Sequence, residues 1–150
     1  MVLLVPFDGS VLSRAALTRA KQYAEYTGEE LLALTVIPDD PDIARERGWL
    51  DPSDTFDEGV ISRKLRQEIH DIAPEATHRS ELVENDDPVA TTTMDVVRKI
   101  RQVAAEVDAS VLFLGSENAG RVSAPLTSVG NPLSEDPGYD VFIVRHPNNE

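Results

Sequence analysis

Two stretches of the chain carry residue types able to hold a ligand. The first is Pro6-Phe7-Asp8-Gly9-Ser10, a lone carboxylate set in a glycine and serine turn. The second runs from Ser110 to Asn131, where the apolar residues Val111 to Leu114 stop at Gly115 and give way to small and polar ones, Ser116, Gly120, Ser123, Thr127 and Ser128 among them. A carboxylate suits the hydroxyls of a ribose or an exocyclic amine and repels a phosphate. Glycines that admit backbone to a ligand, with hydroxyls and amides beside them, suit an anion. Brought together, the two stretches would form a nucleoside end at Asp8 and a phosphate end in the glycine loop. On spacing alone, a glycine turn with polar decoration explains the second stretch as well.

Positioning them is the task of an alternating series of strands and helices. Val2 to Val5 is an unbroken apolar run that reads as a buried parallel strand, and Asp8 or Ser10 can cap the helix after it, with Leu12, Ala16, Ala20, Tyr23 and Ala24 at helical spacing up to Thr27-Gly28. Glu30 to Ile37 reads as a second strand, closed by Pro38-Asp39-Asp40-Pro41. Residues 38 to 59 hold prolines, glycines, carboxylates and Trp49, and read as a long loop. A loop of that kind is a lid or partner surface, or else a variable insertion with Trp49 packed against a helix. Ile61, Leu65, Ile69 and Ile72 mark a helix from about Thr55 to Ala73, and Thr77 to Glu84 a weakly hydrophobic edge strand. After the turn Asn85-Asp86-Asp87-Pro88, Val96, Val97, Ile100, Val103, Ala104 and Val107 mark the most regular helix. Residues 110 to 115 and Asp140 to Arg145 supply the fourth and fifth strands. This order predicts an α/β fold, a doubly wound five-stranded parallel sheet with helices on both faces, in one domain over residues 1–150. With the first and fourth strands as neighbours at a switch point, Asp8 would stand beside Gly115 to Ser128.

Composition narrows the function. The chain has no cysteine, so thiolate metal sites, disulfides and a cysteine nucleophile are excluded, and His70, His78 and His146 have no metal-ligand spacing. A net charge of −13 opposes duplex nucleic acid and anionic lipid as partners. No apolar run reaches the length of a membrane span, and Met1 leads into Val-Leu-Leu-Val-Pro without a basic leader, so a cytoplasmic protein is expected. Lysine is confined to Lys21, Lys64 and Lys99, and the acidic, lysine-poor surface suggests adaptation to high internal salt, as in a halophilic archaeon.

The order and distances of these pieces resemble the universal stress protein family over almost the whole chain. Val5-Pro6-Phe7-Asp8-Gly9-Ser10 is similar to that family's first strand and Asp-Gly-Ser turn, Ala33-Leu34-Thr35-Val36 to its second strand, and Val111 to Gly115, Gly120-Arg121 and Val141 to Arg145 to its last third. The resemblance implies the family's fold, related to that of the adenine-nucleotide α-hydrolases, and a homodimer paired through the last strand. The family includes members that bind ATP and members that do not. In the binding members a glycine, two residues, a second glycine, nine residues and then Gly-Ser or Gly-Thr hold the phosphates. Carried over, the resemblance implies a site for ATP or AMP, with or without Mg, made by Pro6, Phe7, Asp8, Val36, Leu114, Gly115, Gly120, Arg121, Thr127, Ser128 and Val129. The glycine pattern is altered here: Asn118 falls at the strict second position, with Gly120-Arg121 displaced by two residues, and Thr127-Ser128-Val129 replaces Gly-Ser-Val. Counting on from Gly120 instead reaches Gly130-Asn131, which keeps the glycine and loses the hydroxyl. Threonine does not cheaply adopt positive φ, and Pro132, Pro137 and Gly138 shorten any helix that would aim its dipole at a phosphate.

Two functional classes follow. One is a regulatory protein that binds an adenine nucleotide. The other is a dimeric stress-response scaffold that does not, acting through its acidic surface or residues 38 to 59. No residue pair offers a general base with a nucleophile, so catalysis is not expected, a slow ATPase or a nucleotidyl transferase of related architecture being the catalytic alternatives. Val141, Phe142, Ile143 and Val144 are apolar at successive positions, and at a sheet edge they would need cover from a second copy, a helix or the tail.

Overall fold

The computed structural model describes residues 1–84, 92–116 and 138–147. The chain runs β1 (Val2–Pro6), α1 (Val11–Thr27), β2 (Glu30–Pro38), α2 (Pro41–Glu46), α3 (Glu58–Ile72), β3 (Thr77–Val83), α4 (Thr92–Glu106), β4 (Ala109–Gly115) and β5 (Asp140–Val144). All strand pairs are parallel and the sheet order is β3-β2-β1-β4-β5. Chain order therefore reverses beside β1, whose neighbours are β2 and β4, and the carboxyl ends of β1 and β4 lie side by side as expected. The register runs from Val2↔Glu30 to Pro6↔Leu34 on one side and through Leu4↔Leu112 on the other.

Strands buried on both faces must be apolar at successive positions, and the two layers divide them. Leu3, Val5, Leu31, Ala33, Ile37 and Phe113 pack with α1 and α3, through Ala16, Leu17, Ala20, Ile61, Leu65 and Ile69. Leu4, Leu32, Leu34, Val36, Leu112 and Leu114 pack with Ile100, Val103 and Ala104 of α4 on the opposite face.

Local chemistry sets the helix ends. Ser10 caps α1, its hydroxyl accepting from Ser13 N, and Gly28 ends the helix at φ 78°. Asp57 caps α3 by accepting from the amides of Gly59 and Val60, which places the start at Glu58 rather than near Thr55. β3 is an edge strand, as its polarity implied, and β5 forms the other edge with Phe142 40% exposed.

The reading of residues 38 to 59 as a long loop is corrected. Asp40 caps the short helix α2 with Pro41 in its first turn, the chain turns at Gly48 with φ 78°, and Trp49 and Leu50 are buried in the α1/α3 layer. Asp-Pro at a helix start is favourable, because proline needs no amide partner there and its φ already suits the helix. The turn expected at Asn85 to Pro88 and the segment around Pro132 and Pro137 lie outside the described residues.

Candidate functional site

The site is centred on Asp8, just beyond the end of β1. Phe7 is fixed first: its ring is buried and its amide donates to the Leu34 carbonyl of β2 at 2.8 Å. Asp8 follows in a turn made by its own neighbours. Its Oδ1 accepts from the Ser10 amide at 2.9 Å, and Gly9 takes φ 83°, a conformation that strains side-chain-bearing residues. Arg14 holds the turn from the helix side, its Nε donating to the Gly9 carbonyl at 3.0 Å, its guanidinium 5.9 Å from the Phe7 ring centroid and paired with Glu68 of α3.

The rest of the Asp8 environment comes from the segment after α2. Arg47 Nη1 donates to Asp8 Oδ2 at 2.7 Å, and the Trp49 indole Nε1 donates to the Asp8 carbonyl at 2.9 Å. The two side chains also meet each other, the guanidinium lying 5.7 Å from the Trp49 ring centroid. Backbone bonds from Trp49 N to the Ala44 carbonyl (2.8 Å) and from Lys64 Nζ to the Gly48 carbonyl (2.9 Å) fix this segment against α2 and α3. The Asp8 side chain is 19% exposed. Burial works against its charge, but the Ser10 hydroxyl and amide, the Ser13 hydroxyl and Arg47 outweigh burial and hold the carboxyl below the ordinary carboxylate value. Asp8 is thus an ionised acceptor in a fixed orientation, suited to hydroxyl or amine donors.

Of the other residues anticipated for the site, Pro6 ends β1, while Val36, in β2, and Leu114, in β4, are buried on the α4 face. Gly115 ends β4, and a Cβ built there would lie 2.8 Å from Leu12 Cβ of α1. Its lack of a side chain is therefore required by helix packing, whatever it does for a ligand. Gly120, Arg121, Thr127, Ser128 and Val129 lie outside the described residues. Arg47 was not anticipated. The signal for it was Asp40-Pro41 and Gly48, a helix start and stop seven residues apart that reads locally as turn chemistry. Among the described residues no group of three or more His, Asp or Glu side chains is arranged to hold a metal, and no helix is long and apolar enough to cross a membrane.

A sequence profile of the universal stress protein family matches residues 1–145. The chain belongs to the universal stress protein family. Solved structures of similar fold include a universal stress protein in complex with cAMP, at 24% identity and a TM-score of 0.54, the match covering 99% of this chain and 98% of that one. The Archaeoglobus fulgidus universal stress protein in complex with dAMP matches at 18% identity and a TM-score of 0.50 (97% and 98% covered), and Lactobacillus plantarum UspA at 19% and 0.53 (97% of each chain). No curated protein matches the sequence. These likenesses establish the fold of this universal stress protein: a five-stranded parallel sheet between layers of helices.

Proposed function

We propose that this universal stress protein binds an adenine nucleotide, ATP or AMP, at the carboxyl edge of its sheet, and acts by binding rather than by catalysis. The observation that carries the reading is Asp8: ionised, held by Ser10, and placed where β1 and β4 end together at the switch point. Two proteins of this fold carry cAMP and dAMP, which supports an adenine ligand. In this reading Asp8 takes the nucleoside end, with Pro6, Phe7 and Val36 around it, and Leu114, Gly115, Gly120, Arg121, Thr127, Ser128 and Val129 serve the phosphate end, with Mg as a companion of ATP. Calorimetric titration with ATP, with and without Mg, in molar KCl tests it. Saturable heat that disappears in Asp8→Ala supports the reading, and no heat at millimolar ATP from folded protein contradicts it.

A second reading is favoured by Arg47, which already bonds Asp8, and by Thr127 in place of a glycine: a scaffold of the same family that holds no nucleotide. Both readings include a single-domain, cytoplasmic homodimer paired through Val141, Phe142, Ile143 and Val144, since β5 is an apolar strand at the sheet edge. A sedimentation mass that is dimeric in the wild type and monomeric in Phe142→Lys supports that pairing, and a mass unchanged by the substitution contradicts it. The charge of −13 supports a halophilic setting, in which the melting temperature rises from dilute buffer to molar KCl.

A further inference from the structure

Asp8 has only a small accessible face, and a cation of the same chain already stands on it. Oδ1 is engaged by the Ser10 amide and Oδ2 by Arg47 Nη1 at 2.7 Å, and only 19% of the carboxylate side chain is exposed. Arg47 is the freer partner: its side chain is 42% exposed and lies along the Trp49 ring, so it can leave the carboxylate for water without unpacking the core. Trp49 cannot follow, being 5% exposed and tied to the Asp8 carbonyl.

We propose that Arg47 is an internal competitor for the Asp8 carboxylate, through which the site prefers phosphorylated to unphosphorylated nucleosides. The inference rests on the nucleotide-binding reading. A ribose hydroxyl or amine that takes Oδ2 displaces the guanidinium. Arginine stays charged, so displacement leaves a cation at the mouth of the site in a protein of net charge −13. Where Asp8 holds the ribose, a phosphate carried on that same ribose gives the freed guanidinium a second anion, in addition to the contacts assigned to the phosphate end, and recovers part of the attraction that was broken. A neutral nucleoside breaks the same ion pair and offers the guanidinium no anion in exchange.

The test is calorimetric titration of the full chain, as wild type and as Arg47→Met, with adenosine and with AMP in one KCl buffer. Methionine keeps an unbranched apolar stem against Trp49 and removes the charge, and a cooperative melt of the variant establishes folding. The pair is partly exposed, so Arg47→Met should bind adenosine about two- to fivefold more tightly than wild type. AMP should gain less than adenosine, or lose affinity, so that the ratio of AMP to adenosine affinity falls. Adenosine affinity equal to or weaker than wild type overturns the competition while leaving nucleotide binding intact. A gain for adenosine with an unchanged ratio overturns the phosphate preference. Absence of both isotherms in both proteins overturns the nucleotide reading itself and the inference with it.

Discussion

The turn from Asp8 to Ser13 closes on hydrogen bonds between residues two to five positions apart, whereas Arg47 and Trp49 reach the same aspartate across separations of 39 and 41 residues. The turn is a helix cap and would take this shape in most settings that start a helix there. The second segment has its shape only because α2, Gly48 and Lys64 of α3 hold it over the end of β1. The difference separates two tasks. Local chemistry orients and ionises the carboxylate, and long-range packing decides what can reach it.

Removing the long-range anchor is expected to have the largest effect. Trp49→Ala deletes a buried aromatic side chain and leaves the Asp8 carbonyl without its indole donor, and should cost about 3–5 kcal/mol in denaturant unfolding. A cost near zero would mean that the segment is not fastened to Asp8. Disturbing the local half is milder: Ser10→Ala removes the cap of α1 and should cost about 1 kcal/mol, read from the shift in the urea midpoint at constant slope. If Ser10→Ala proves the costlier of the two, the contrast between the segments is reversed.

The smallest effect is the most specific. Because the folded state holds the Asp8 carboxyl below its unfolded value, its ionisation adds stability that is complete above the unfolded pKa and is lost as pH falls through the lower folded value. The melting difference between wild type and Asp8→Asn should therefore be steady near neutral pH and shrink on acidification below about pH 4. A difference that does not change with pH would show that neither Ser10 nor Arg47 stabilises the charge.

What could be read from the sequence follows the same division. Apolar runs such as Val2 to Val5 and Val111 to Leu114 mark buried parallel strands because both faces of each are covered, and the stripe of Val96, Ile100 and Val103 marks α4 because only one face is. Asp8 was legible as a candidate because a lone carboxylate after an apolar strand is chemically conspicuous, and its capping turn with Ser10 was legible with it. Gly115 was legible as a glycine that permits close approach, but it was not legible that Leu12 Cβ of α1 is a neighbour that requires it, a contact between distant parts of the chain. In residues 38 to 59 the packing of Trp49 agrees with one of the two expectations, whereas α2 was hidden for the same reason. Their prolines and carboxylates resemble a loop in isolation, and the burial that makes Trp49 an anchor exists only once α3 and β1 are assembled. Arg47 resembles any other exposed arginine until the fold delivers it to Asp8.

Trp49 is the only tryptophan in the chain and its indole bonds the carbonyl of Asp8, so its emission reports directly on the residue assigned to the nucleoside. The most direct measurement is a fluorescence titration with ATP in molar KCl, run beside calorimetry on the same sample. A ligand held by Asp8 predicts a saturable change in Trp49 emission with the same midpoint as the heat, absent in Asp8→Ala. Heat without a change in emission would place the nucleotide away from Asp8 and contradict the site described for this protein.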